Sequence, residues 1–214
     1  MRVTEIITEA QHSAKIKQIL LDKGYVFLGQ GVDQMAFAEP NSNTVLKIYG
    51  TSEGARLGKL TEKQKSFKTF YDAVKADPTN EFLPEIYGYN LFNFNGKPYL
   101  QIRMETLFTF RGVAKHWNDI LSSMADSVER RKPLEEYLSD LEEHIDNSKL
   151  KNKELVTFIM HLGTEGLTKI YKTIQHLYTI AKKNSYSLDL HGGNFMLDSF
   201  GNPVIVDPYI VWGG

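Results

Sequence analysis

The sequence predicts an α+β chain in two lobes: an N-terminal five-stranded antiparallel sheet with one helix, then a mostly helical C-terminal lobe. Three observations carry this. Five short runs of β-formers bounded by turn residues lie between Tyr25 and Met104, with one helical stretch among them. From Arg111 onward the apolar residues fall at helical spacing. A closing hairpin is written as two short apolar runs, Phe195 to Leu197 and Val204 to Val206, around the turn-rich stretch Asp198 to Pro203. The lobes divide as residues 1–107 and 108–214, and 214 residues at 42% hydrophobic suffice for a core but not for two large independent domains.

The elements follow in order. The N-terminus, MRVTEIITEAQHSAKIKQIL, carries acids and reads as an amphipathic helix, not as a signal peptide. Tyr25 to Leu28 is a strand, followed by Gly29, Gln30 and Gly31 and the return strand Met35 to Ala38. A turn over Pro40 to Asn43 leads into Thr44 to Tyr49, a strand with one lysine, Lys47, among β-formers. Thr61 and Gln64 make a capping box, and Phe67, Phe70, Tyr71 and Val74 continue at i, i+3, i+4 and i+7, so a helix runs on until Pro78 closes it. Ile86 to Phe92 and Tyr99 to Met104 form a hairpin about Asn95-Gly96. Helical stretches are expected near Val113 to Ala125, Leu134 to Ile145, Leu155 to Leu162 and Thr164 to Lys183. The last delivers the chain to Ser187.

Composition excludes several chemistries. There is no cysteine, hence no disulfide, no thiolate catalysis and no cysteine-based zinc site, which fits a reducing compartment. With 25 basic and 26 acidic residues no global field favours nucleic acid. The apolar runs are far shorter than a membrane span, so no membrane association is expected. His161 and His176 read as structural histidines, and Glu142, Glu143 and His144 as a solvated helix face.

The chemistry concentrates in SLDLHGGNFMLDSFGNPVIVDPY, Ser187 to Tyr209. Asp189 and Asn194 keep the spacing D-x-x-x-x-N, which in kinase catalytic loops puts a base and a metal-binding amide on one side of a loop. The hairpin after Asn194 returns Asp207 beside it. Mg²⁺ prefers oxygen ligands and keeps waters, so one carboxylate, one amide oxygen and a nucleotide's phosphates make a sensible set, with Asp189 taking the proton of an attacking hydroxyl. Asp, Asn and Gly also form plain turns, which is the bland reading of the same letters.

Upstream parts come in the order a nucleotide clamp needs. Gly29 and Gly31 let backbone approach phosphate, although Gln34 stands where G-x-G-x-x-G has its third glycine. Lys47 resembles the V-A-I-K lysine that holds nucleotide phosphates, and a snorkelling edge lysine is its alternative. Met104 to Leu107 resembles a kinase hinge, where backbone groups of Glu105 and Leu107 would bind adenine; a strand end explains the same residues. Candidates for an acid partner of Lys47 are Glu62, Glu53 and Asp72.

Taken together, Gly29 and Gly31, Lys47, the Met104 to Leu107 segment, then Asp189, Asn194 and Asp207 resemble the protein-kinase-like superfamily over about residues 24 to 210. GYVFLGQGVDQMAFAEPNSNTVLKIYG and LDLHGGNFMLDSFGNPVIVDPYI are more closely similar to the early serine/threonine protein kinases of short-tailed bacteriophages, including Asp207-Pro208 where most kinases have D-F-G. The resemblance implies a bilobal protein-kinase-like fold, ATP and Mg²⁺ as cofactors, and phosphorylation of host proteins in the bacterial host cytoplasm. Residues 111–162 carry no matching motif.

Departures qualify the likeness. Ser187 and Leu188 stand where His and Arg usually precede the catalytic aspartate, and seven residues follow Asp207, so activation by loop phosphorylation is not expected and an active enzyme should be constitutively so. His191, two residues after Asp189, either contacts the transferred phosphate or supports the loop. Three functions stay open: a protein kinase, a small-molecule kinase of aminoglycoside type, and a pseudokinase that binds and inhibits a host protein.

Overall fold

The computed structural model describes residues 9–30, 34–50, 61–110, 117–147 and 152–210. Its elements are α1 (Glu9–Asp22), β1 (Val26–Gln30), β2 (Gln34–Ala38), β3 (Thr44–Tyr49), α2 (Glu62–Ala76), β4 (Ile86–Phe94), β5 (Lys97–Glu105), α3 (Trp117–Glu129), α4 (Leu134–Asn147), α5 (Asn152–Lys183), β6 (Ser187–Leu188), β7 (Phe195–Leu197), β8 (Pro203–Ile205) and β9 (Tyr209–Ile210). The fold is α+β. Packing divides the chain into two units, Met1–Lys65 with Glu85–Thr106, and Ser66–Pro84 with Leu107–Gly214.

The first unit is built on a five-stranded antiparallel sheet in the order β1-β2-β3-β5-β4. Side chains of a strand alternate between faces, so the residues of central β3 sort into two sets. Leu46 and Ile48 join Met35, Phe37, Tyr99 and Ile16 of α1 in one apolar cluster. Val45 and Tyr49 point the other way with Lys47, and their neighbours Leu100, Ile102 and Met104 are buried as well. Burial of both faces explains why β3 reads as an apolar run with one lysine, whereas β5 alternates from Leu100 on, with Gln101 half-buried and Arg103 exposed. The β4–β5 hairpin turns at Asn95 and Gly96, with φ 49° and 79°; two successive positive φ values demand Asn-Gly or an equivalent.

Helix α2 starts as its sequence dictates. The Thr61 amide donates to Gln64 Oε1 at 3.0 Å while the Gln64 amide donates to Thr61 Oγ1 at 3.1 Å, a reciprocal capping box. Beyond its first turn α2 belongs to the second unit, as does the stretch that follows it to Pro84. Two contacts show the reason: Phe70 packs edge-on against Tyr209, centroids 6.3 Å apart, and the Ile205 amide donates to the Phe82 carbonyl at 3.0 Å. Where the sequence predicts one boundary after residue 107, packing assigns residues 66–84 to the second unit.

In that second unit α3 and α4 pack on α5. Leu121, Met124 and Val128 of α3 and Ile170, Ile174 and Leu177 of α5 are buried, as helical spacing requires of core faces. Tyr137 of α4 stacks at a tilt on Tyr171 of α5. The two stretches predicted on either side of Gly163 are the two helical segments of α5, which meet at a kink where Gly163 has φ 64° and ψ 176°. Among the described residues no helix is long and apolar enough to cross a membrane.

Candidate functional site

Two short antiparallel pairings assemble Asp189, Asn194 and Asp207 within the second unit. In the first, β6 pairs with β9, Leu188 opposite Tyr209, and the Asp189 amide donates to the Pro208 carbonyl at 2.8 Å. In the second, β7 pairs with β8, Phe195 opposite Ile205, and the Val206 amide donates to the Asn194 carbonyl at 3.0 Å. Asp207 is therefore the residue between two paired positions, one bonded back to Asn194 and the other to Asp189. Hydrogen-bonded partners in an antiparallel ladder stand about 5.5 Å apart at Cα, so the register alone keeps all three together.

The turn between β7 and β8 is held by one side chain. Asp198 accepts the amides of Phe200 and Asn202, each at 2.8 Å, and the Asn202 side-chain amide at 3.0 Å. The hairpin gains a third rung from Phe108, whose amide and carbonyl both bond to Leu197, at 2.8 and 2.7 Å. Leu107, expected at the adenine hinge, immediately precedes that bridge and lies outside any strand.

Between Asp189 and β7 the chain makes a 3-10 turn, Gly192–Asn194, capped by His191. The Gly193 amide donates to His191 Nδ1 at 3.1 Å, and His191 Nε2 lies 3.5 Å from Asp189 Oδ1. Asn194 is buried at 9% exposure, and its Nδ2 donates to the Asp189 carbonyl. With the amide nitrogen committed to the chain, the oxygen is the end left to act as a ligand. The Asp189 side chain, by contrast, is 31% exposed. Tyr209 closes the far side of β9: buried against Phe70 and Tyr186, its hydroxyl finds no partner, and burial raises its pKa above the ordinary 10.0.

Of the residues expected to form a nucleotide clamp, Gly29, Lys47 and Glu105 lie in the first unit, whereas Asp72 and Leu107 lie in the second. Lys47 is opposite Ala36 on β2 and Ile102 on β5, in the middle of the sheet and less buried than its strand neighbours. Gly29 sits at a bulge in β1, and a Cβ there would meet nothing within 4 Å, so packing inside the protein does not demand glycine. Gly31 and Glu53 lie outside the described residues. Glu62 pairs with Lys65 and Asp72 with Lys68, each a neighbour on α2, and both pairs are exposed. Glu105 ends β5, where its amide donates to the Glu85 carbonyl at 3.0 Å and its Oε1 accepts the Glu85 amide at 2.8 Å.

Three contributors to this geometry were not legible in the sequence: Phe108, Gly193 and the Pro208 carbonyl. Phe108 and Pro208 act through backbone groups, for which residue type carries no signal, and the need for glycine at 193 depends on the direction of the His191 ring. Among the described residues no three His, Cys, Asp or Glu side chains cluster as a metal site. In comparison with known proteins, the chain matches no family model and no curated relative.

Proposed function

We propose that this chain is an ATP-dependent phosphotransferase of the bilobal protein-kinase-like kind, acting as a phage-type serine/threonine kinase on proteins of a bacterial host. The observation that carries the reading is the pair of strand pairings that bring Asp189, Asn194 and Asp207 to one short segment. A turn-forming role alone needs no such convergence, and the turn of the hairpin is already held by Asp198.

In this reading each residue has one task. Asp189, half-buried and fixed by its backbone on both sides, accepts the proton of the substrate hydroxyl. The hydroxyl oxygen then bonds to the γ-phosphorus as the bond to the leaving ADP oxygen breaks. Lys47 holds the α- and β-phosphates, Gly29 and Gly31 admit the phosphates to the backbone, and backbone groups of Glu105 and Leu107 take the adenine. Asn194 Oδ1 and the Asp207 carboxylate are oxygen donors of the kind Mg²⁺ selects, and a site completed by phosphates and waters needs no third acidic side chain. When bound, the ion would neutralise charge developing on the transferred group. Asp189 and Asp207 follow from β6 and precede β9, so both acids are held by the same two-stranded pairing.

The test is to incubate the protein with γ-labelled ATP, Mg²⁺ and a bacterial lysate, beside an Asp207→Ala control. Label on Ser or Thr of proteins that disappears in the control is expected. Label confined to small metabolites would make this a small-molecule kinase, and no label in any fraction would leave a binding protein of pseudokinase type.

A further inference from the structure

Resting on the phosphotransferase reading, we propose that His191 is a positioning residue that holds Asp189 Oδ1 and leaves Oδ2 to take the substrate's proton. The ring is fixed first by the turn it caps. Its Nδ1 accepts the Gly193 amide at 3.1 Å, and a nitrogen that accepts a hydrogen bond has no proton of its own. The proton of the neutral imidazole is therefore on Nε2. That nitrogen lies 3.5 Å from Asp189 Oδ1, a separation that a small rotation of the Asp189 carboxylate would convert into a bond.

The surroundings make this contact selective. The backbone of Asp189 is fixed through its amide, which donates to Pro208, and through its carbonyl, which accepts from Asn194. Only the rotation of the carboxylate is left to be set, and Nε2–H is a donor placed to set it. Gly193 permits the arrangement, because a Cβ there would stand 3.1 Å from His191 Cε1 and 3.4 Å from Nδ1. The geometry thus links the cap of the turn to the base through one ring, and the ring's two nitrogens have separable jobs.

Two amide variants separate those jobs. The oxygen of asparagine falls where Nδ1 is, and the nitrogen of glutamine reaches where Nε2 is. His191→Asn keeps the cap and loses the donor to Asp189, whereas His191→Gln keeps the donor and loses the cap. We expect His191→Asn to lower kcat ten- to a hundredfold, roughly the scale on which misplacing a catalytic group is felt, with KM for ATP unchanged. His191→Gln should retain most of kcat. The opposite order, with His191→Asn near wild type and His191→Gln impaired, would mean that the ring only supports the turn and would overturn the proposal. A second readout does not need activity: in a nitrogen-15 spectrum of the histidine side chains, His191 should be the Nε2–H tautomer, and Asp189→Asn should shift its Nε2 signal. A mixed tautomer indifferent to Asp189→Asn overturns the contact itself. A wild type that transfers no phosphate to protein or metabolite overturns the kinase reading and the role with it, while the spectrum still decides whether the contact exists.

Discussion

Lys47 and Asp189 are held in opposite ways. Lys47 sits at the centre of a five-stranded sheet, where regular pairing on both sides and a row of buried neighbours fix its backbone many times over. Asp189 follows a strand of two residues and is kept in place by single bonds to Pro208 and Asn194. Redundant support makes a position insensitive to the loss of any one bond. Support by single groups concentrates sensitivity in a few side chains, and functional loops on rigid scaffolds are commonly built this way.

The comparison breaks most visibly in the sheet. Ile102, opposite Lys47 and fully buried, should cost about 2 to 5 kcal/mol on truncation to alanine, since a large cavity in a two-sided core cannot collapse. Urea unfolding should show the loss, and the remaining pairings should keep Lys47 in place, so that the proposed nucleotide binding should be close to wild type in the folded fraction. Ile102→Ala protein that remains folded yet binds no nucleotide would show that the sheet is less redundant than its pairing suggests.

A smaller stability effect with a larger functional one is expected in the loop. Asn194→Ala removes the bond to the part-buried Asp189 carbonyl, at about 1 to 3 kcal/mol. Phosphate transfer should fall far more than stability does, because Asn194 both anchors Asp189 and supplies the proposed ligand. A loss of activity no larger than the loss of folded protein would place Asn194 with the scaffold.

The smallest effect sharpens the view of the second unit as a dry helical core. Burial pushes Tyr137 up to about 12, and Tyr209 is raised for the same reason. A phenol whose folded pKa exceeds its unfolded value of about 10 favours folding at lower pH. That stability is complete below pH 10 and is lost as the pH climbs towards 12. Urea midpoints measured from pH 8 to 11 should be level at first and then decline. A Tyr137→Phe variant should decline less steeply, and an identical slope would show that Tyr137 is not the group responsible.

Much of this arrangement was legible in the sequence, because it rests on residue types with strong local consequences. Thr61 and Gln64 cap α2 reciprocally, Asn95-Gly96 turns the hairpin, and the apolar runs around Asp198 to Pro203 pair as β7 and β8. The spacing of Asp189, Asn194 and Asp207 likewise corresponds to residues that the strands bring together. The partner of a face was not legible. Periodicity marks Phe67, Phe70 and Val74 as one apolar stripe on α2 but cannot say that Phe70 meets Tyr209, so residues 66–84 group with the second unit unannounced. The direction of His191 was equally hidden, since it depends on which ring nitrogen the Gly193 amide reaches.

The break in α5 bears on how variation at this chain would be interpreted. A Cβ at Gly163 would meet nothing within 4 Å, so any tally of neighbours scores the position as free to change. Its torsions, φ 64° with ψ 176°, belong to a region that is essentially glycine's alone. Across a library of random variants Gly163 would behave as a forbidden letter in an uncrowded place, with the constraint written in the bond rotations and not in the surroundings.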